Sequence, residues 1–287
     1  MDFVKLTIET KRAERGEGAV LSSSADRFLS VMTYNIRHGR GRDGRVDLDR
    51  ICAVIQEGRP DLIALQEVDR GMTRSGRIDQ GARIADRLEM HWAPGHNGTL
   101  EGGVFGNVLL SRWPLTPLEN IDLTVPGREP RGALLTEIGH EEGALLAGTL
   151  HFGLGMTERK RQRMALLGQL RSLYPDEPIL LLGDFNSLPF SRTSRQFRRT
   201  FTDAFRAVGK GGRATFRRGV LSLCIDYIYS SRHFLPGAAS VLRTQKSSVA
   251  SDHFPLMAQF LWKKENENRN DLEPGNELFP DFPDSTD

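Results

Sequence analysis

Eight side chains in this sequence could share one reaction: Asn35, Glu67, His151, Asp184, Asn186, Asp226, Asp252 and His253. Most of them border an apolar, strand-like run. Asn35 ends FLSVMTYN, Glu67 follows LIALQ, His151 follows LLAGTL, Asp184 follows ILLLG, Asp226 follows LCI, and Asp252 and His253 precede FPLMAQF. Taken singly, a strand-end aspartate is a turn or cap residue, and a histidine beside an apolar strand is a satisfied core or surface residue. Taken together in one pocket, four carboxylates, two amides and two histidines would repel one another unless a cation held them. Oxygen donors without a thiolate cluster suit Mg²⁺ or Mn²⁺, not structural zinc. Histidines beside such an ion supply acid–base chemistry or stabilise a transferring phosphoryl group. The residue types point to metal-assisted hydrolysis of a phosphate ester.

The segment ILLLGDFNSLP (179–189) makes the problem acute. Its aliphatic run reads as a strand buried on both faces, yet it delivers Asp184 at its end. Desolvating an unpaired carboxylate costs several kcal/mol or drives it to the neutral form, so compensating partners are required there. Basic residues offer a second kind of chemistry. Arg70, Arg74 and Arg77 follow Glu67, and Arg131 opens another strand. Each is a phosphate clamp or a solvated charge, since guanidinium binds phosphate through paired hydrogen bonds. SRTSRQFRR (191–199) places four arginines after the GDFN loop, either for a polyanion or as an exposed face.

These residues need a scaffold, and the sequence offers strands and helices mixed without strict alternation. Strands are expected at Phe28–Asn35, Leu62–Val68, Val104–Ser111, Gly132–Ile138, Leu145–Phe152, Ile179–Asp184, Cys224–Tyr229, Ala239–Leu242 and Phe254–Leu261. Helices are expected at Asp47–Glu57, Asp79–Leu88, Thr157–Leu173 with Thr157 as N-cap, and near Ser191–Arg199. The runs Val104–Ser111, Gly132–Ile138 and Leu145–Phe152 lack intervening helices, which favours antiparallel pairing among them. The pattern predicts one mixed α/β domain with two sheets and outer helices.

No stretch approaches the ~18 apolar residues of a membrane span. The amino terminus has no apolar signal region, so a cytoplasmic protein is expected. Cys52 and Cys224 lie far apart, without metal or redox spacing. The net charge of +2 hides an asymmetry: residues 263–287 carry three basic and eight acidic residues, a net of −5, which leaves +7 on the rest. That acidic tail and the first 27 residues are expected to be loosely held, leaving residues 28–262 as the domain.

Seven segments occur in a telling order: TYNIRHG (33–39), DLIALQEVD (61–69), GNVLLSR (106–112), TLHFG (149–153), GDFNSLP (183–189), IDYIYS (225–230) and SDHFPL (251–256). Their succession resembles the endonuclease/exonuclease/phosphatase superfamily of deoxyribonuclease I-like phosphoesterases. The resemblance implies a four-layer α/β/β/α sandwich of two mixed sheets, with strand ends forming the cleft. It implies Glu67 as principal Mg²⁺ ligand, assisted by Asn35 and Asp252, with Mn²⁺ as a substitute. His253 would be held by Asp226, and would bind the phosphate or activate water. Asp184 and Asn186 would orient water and phosphate, with Asp184 also a candidate base. His151 would stabilise the phosphorane or protonate the leaving oxygen, and Asn107 would have a structural or cleft-lining role. The histidine in TLHFG differs from the tyrosine-bearing segment of the exonuclease III branch. The chain has no obvious membrane-docking hairpin of the sphingomyelinase kind, and most resembles small bacterial stand-alone members. The implied activity is phosphodiester hydrolysis, with nucleic acid placed slightly ahead of a lipid head group or small phosphate ester. A binding module that had lost the chemistry should lack a motif residue, and every position is filled.

Overall fold

The computed structural model describes residues 28–263. The segment 1–27 and the acidic tail from residue 264 onward lie outside the described residues, as do the expectations made for them. The first half of the fold contains β1 (Phe28–Asn35), α1 (Leu48–Gly58), β2 (Leu62–Arg70), α2 (Gln80–Leu88), β3 (His91–Leu100) and β4 (Gly103–Ser111). The second continues with β5 (Leu115–Asp122), β6 (Gly132–His140), β7 (Gly143–His151), α3 (Met156–Leu173), β8 (Ile179–Asp184), α4 (Arg192–Phe197), β9 (Thr202–Asp203) and α5 (Ala204–Val208). A small hairpin, β10 (Phe216–Arg218) and β11 (Leu221–Leu223), precedes β12 (Asp226–Ser230), β13 (Phe234–Val241), α6 (Ser247–Ala250) and β14 (Leu256–Trp262).

Two six-stranded sheets result, ordered β13-β14-β1-β2-β4-β3 and β5-β6-β7-β8-β12-β9. Each contains one parallel pair, β1 with β2 and β7 with β8, bridged by a helix. The other neighbours run antiparallel. Strand periodicity decides what each sheet face buries. Val31, Leu62 and Ala64 point to the core between the sheets, with Leu180 and Leu182 from the opposite side. Met32, Ile63 and Leu65 point outward onto α1 and α2. Leu181 and Phe185 meet Leu166 and Leu170 of α3. The central strands are apolar on both faces because both faces are covered, which completes the four-layer sandwich.

Three local expectations need correction. β4 pairs with β2 and β3 in the first sheet, not with β6 and β7. Helix α3 begins at Met156 after an N-cap at Gly155, so Thr157 lies inside it; the Glu158 carboxylate accepts the Gly155 N–H at 3.2 Å. Strands β3 and β5 escaped the pattern because Pro94 and Pro117 and their polar residues mask the alternation.

Candidate active site

The backbone register converges on Asp184. On β8 it lies opposite His151 of β7 on one side and Asp226 of β12 on the other. Gly183 permits this approach, since an added Cβ would lie 2.1 Å from the Leu150 carbonyl oxygen. The chain then turns at Asn186, whose φ of 46° is left-handed and tolerated by asparagine. The Asn186 N–H donates to Asp184 Oδ1 at 2.8 Å, tying the turn to the carboxylate.

The other sheet supplies Asn35 and Glu67. The β2–β4 register shifts between Leu65 and Val68, so that β2 bulges opposite Asn107. Glu67 occupies the bulge with φ 56°, which aims it away from the regular alternation. Asn35, at the end of β1, donates through Nδ2 to Glu67 Oε1 at 3.0 Å and to Asp184 Oδ2 at 3.2 Å. One amide thereby joins carboxylates from both sheets. Asn107 donates to Gly132 O at 3.0 Å, a structural bridge between the sheets.

His253 donates from Nδ1 to Asp226 Oδ2 at 2.9 Å, and its Nε2 lies 3.7 Å from Asp184 Oδ2. Burial alone would lower its pKa, but the Asp226 carboxylate, with Asp184 and Asp252, overcomes this and raises it. His253 is therefore an imidazolium. Burial first, and then the Asp226 charge, push the Asp184 carboxyl above the usual range, against the pull of His253 and the Asn186 and Asn35 donors.

His151 has the opposite character. Arg131 Nη1 lies 3.1 Å from its Nδ1, while its Nε2 lies 3.4 Å from Asp184 Oδ2 and 3.1 Å from Asn186 Nδ2. Burial, with the Arg131 and His253 charges, holds its pKa well below the ordinary histidine value. One Asn186 amide proton goes to Phe152 O at 2.8 Å. His151 and Asn186 thus present two donors to the same part of the cleft.

The surrounding cavity measures about 620 Å³ and is lined by Glu67, Asp184, Asn186, Asp252 and His253. It also receives Arg74 and Arg131. Arg74 is held by Asp69 through two hydrogen bonds of 2.8 and 2.7 Å, and Arg131 by Glu129 at 2.9 Å. Arg70 does not join them: it pairs with Asp79 at 3.1 Å and lies outside this cavity's lining. Three contributors were not anticipated. Arg37 lies 3.6 Å from Asp252, Arg159 reaches in from α3, and the β10–β11 hairpin covers His253, with Phe216 at a ring-centroid distance of 5.0 Å. TFRRGVLSL carries a glycine turn between apolar ends, which is a hairpin signal.

Two oxygen-rich sets border the cleft. Asp184, Asp226 and His253 offer ligand atoms within 4.8 Å of one another. There the His253 imidazolium already supplies the positive charge. Around Glu67 the nearby basic group is His38, 3.9 Å away, which burial and the Arg74 charge hold near pKa 4 and therefore neutral. Glu67 and Asp252 line the same cleft, with the Asn35 amide bonded to Glu67 at 3.0 Å, and among the described residues no ion pair reaches Glu67 except that with the neutral His38. That donor set fits a divalent cation.

Among the described residues no helix is long and apolar enough to cross a membrane. The chain is 32% identical over 246 residues to the uncharacterized protein YbhP of Escherichia coli strain K12, covering 80% of this chain and 95% of that protein. An endonuclease/exonuclease/phosphatase structure from Beutenbergia cavernae superposes with a TM-score of 0.70 at 23% identity, over 82% of this chain and 72% of that one. The mannosyl-6-phosphatase Bt3783 of Bacteroides thetaiotaomicron gives a TM-score of 0.64 at 18% identity, over 82% of this chain and 100% of that one. The model of the Endonuclease/Exonuclease/phosphatase family matches residues 32–253, a span that runs from β1 through Asp184 to His253, and the chain belongs to that family.

Proposed function

We propose that this protein is a divalent-metal-dependent phosphodiesterase, with nucleic acid as the favoured substrate class. The observation that carries the reading is Asp184, buried between His151 and the Asp226–His253 pair and joined through Asn35 to Glu67. Glu67, Asn35 and Asp252 would hold Mg²⁺ or Mn²⁺. When bound, the ion would polarise a phosphoryl oxygen and neutralise developing charge.

The remaining chemistry belongs to the chain. His253 carries a proton on Nε2 while Asp226 holds Nδ1, and so donates to a non-bridging phosphoryl oxygen. Asp184, with its raised pKa, can accept a proton from water near neutral pH and act as the base for in-line attack. His151 is neutral and donates from Nε2. With Asn186 it stabilises the pentacovalent oxyanion through two converging hydrogen bonds. Proton delivery to the leaving oxygen is not assigned to His151, because Arg131 disfavours the imidazolium that would deliver it. Cleft arginines and the +7 charge on residues 1–262 support a polyanionic substrate.

Hydrolysis of bis-p-nitrophenyl phosphate and p-nitrophenyl phosphate, with and without Mg²⁺ or Mn²⁺, tests the reading beside His253→Ala. Metal-dependent cleavage of the diester, lost in the variant, is expected. Preference for the monoester would replace the phosphodiesterase reading with a phosphatase. Cleavage unaffected by His253→Ala would remove the site assignment.

A further inference from the structure

A second cavity of about 890 Å³ lies between α3 and the start of α4. Arg159, Lys160 and Arg163 come from one wall, and Arg192, Arg195 and Arg199 from the other. No carboxylate belongs to the lining. The spacing explains the arrangement: residues three to four apart share a helix face. Arg159 and Arg163 sit one turn apart on α3, roughly 6 Å, Arg192 and Arg195 share a turn of α4, and Arg199 follows just past its end.

Elsewhere this chain neutralises many of its arginines. Arg74 pairs with Asp69, Arg213 with Asp203 and Arg50 with Asp43, all within hydrogen-bond distance. Among the described residues none of the six groove cations forms an ion pair. Arg159 is committed to the Gly153 and Leu154 carbonyls, which positions its charge without cancelling it.

The groove adjoins the catalytic cleft. Arg159 lines both cavities, and Ser187, the residue after Asn186, lines the groove. Between Ser187 and α4, the loop holds Phe190 with 83% of its surface exposed. An exposed aromatic ring beside a cationic track is the pairing used to bind single-stranded nucleic acid, with stacking on the ring and phosphates on the cations.

We propose that the α3–α4 groove binds the phosphodiester backbone of a single strand extending from the catalytic cleft, with Phe190 stacking a base at the junction. This deepens the nucleic-acid reading above and rests on it. A scissile phosphate at Asp184 would place its neighbours toward Ser187 and the groove, making the groove an extended-substrate site that a small ester does not reach.

The test compares wild type with the double variant Lys160→Glu/Arg195→Glu and with Phe190→Ala. Both basic positions are exposed, which limits the effect on folding. Binding of a fluorescent dodecamer is measured by anisotropy in EDTA across a salt series, and bis-p-nitrophenyl phosphate turnover is measured in Mg²⁺ or Mn²⁺. The double variant should bind the oligonucleotide at least about tenfold more weakly, with a log–log salt slope shallower by about 1 to 1.5. Phe190→Ala should weaken binding without changing that slope. Small-ester turnover should stay within about twofold in all three proteins.

Unchanged oligonucleotide affinity in the double variant would overturn the proposal. So would loss of binding to phosphatidylglycerol vesicles with oligonucleotide binding intact, which would assign the groove to an anionic lipid surface. Absence of small-ester cleavage in wild type would count against the catalytic reading alone, and the anisotropy series would still decide the groove.

Discussion

Arg131 Nη1 stands 3.1 Å from His151 Nδ1, with both residues buried. A guanidinium has only donors, so Nδ1 accepts and the neutral ring carries its proton on Nε2, facing Asp184 Oδ2 at 3.4 Å. Burial, reinforced by the Arg131 charge, holds the imidazole in that neutral form. The contact favours one neutral tautomer, with its donor facing Asp184.

Replacing Arg131 should release that tautomer. In ¹⁵N spectra of the wild type, His151 should remain neutral and Nε2-protonated well below the ordinary histidine pKa. In Arg131→Met it should titrate closer to that ordinary value, and turnover should fall about 10- to 100-fold as the donor loses its orientation. Arg131→Lys, which retains a cationic donor, should keep the ring neutral. A wild-type ring that titrates normally would discard the tautomer lock.

The Asp226–His253 pair predicts an alkaline loss of stability. Burial pulls the His253 pKa down, yet Asp226, Asp184 and Asp252 together raise it to about 10. A folded-state pKa above the unfolded value means that the pair's stabilisation is complete below about pH 6.5. It is then lost as pH rises through about 10. Asp226→Asn should cost about 3 kcal/mol at pH 6 by breaking a buried pair. Urea denaturation should show the two proteins converging above pH 10. A constant gap across that window would mean that His253 is not held as an imidazolium.

Metal binding should leave a mark separate from turnover. A ligand at 100 times its Kd adds about 2.7 kcal/mol to the folded state. Mg²⁺ or Mn²⁺ should raise the melting temperature of the wild type, and Glu67→Gln should abolish most of that rise. EDTA should remove activity, and either ion should restore it. An equal thermal shift in Glu67→Gln would place the ion elsewhere.

The segments that carry the site were legible because each couples an apolar run to a polar end. β8 was delimited at Ile179–Asp184 for that reason. Asn35 and Glu67 could be singled out, but their convergence required a β-bulge that residue types do not encode. Arg70 and Arg74 looked alike in sequence. Only folding shows that Asp79 holds the first away from the cleft, while Asp69 positions the second at its edge. The six groove cations were partly visible as an arginine run, but their other wall comes from α3. Proximity between separate helices has no local signature.

Gly183 links the stability of β8 to the position of Asp184. An added Cβ there would meet the Leu150 carbonyl oxygen at 2.1 Å, with the Leu150 carbonyl carbon and backbone nitrogen at 3.0 Å. These are backbone atoms of β7 in the parallel ladder, so no side-chain rotation relieves the clash. Gly183→Ala must push β8 from β7 and draw Asp184 from His151, costing about 3 kcal/mol by the usual range for overpacking. Gly168 provides the opposing control: it lies on the exposed side of α3, and an added Cβ meets nothing within 4 Å. Alanine there should stabilise the helix by about 0.5–1 kcal/mol. The melting temperature should therefore fall for Gly183→Ala and rise for Gly168→Ala, with metal-dependent turnover reduced only in the first. Wild-type stability and turnover in Gly183→Ala would show that β8 can move from β7 without disturbing the site, and would break the proposed link between this strand contact and the geometry at Asp184.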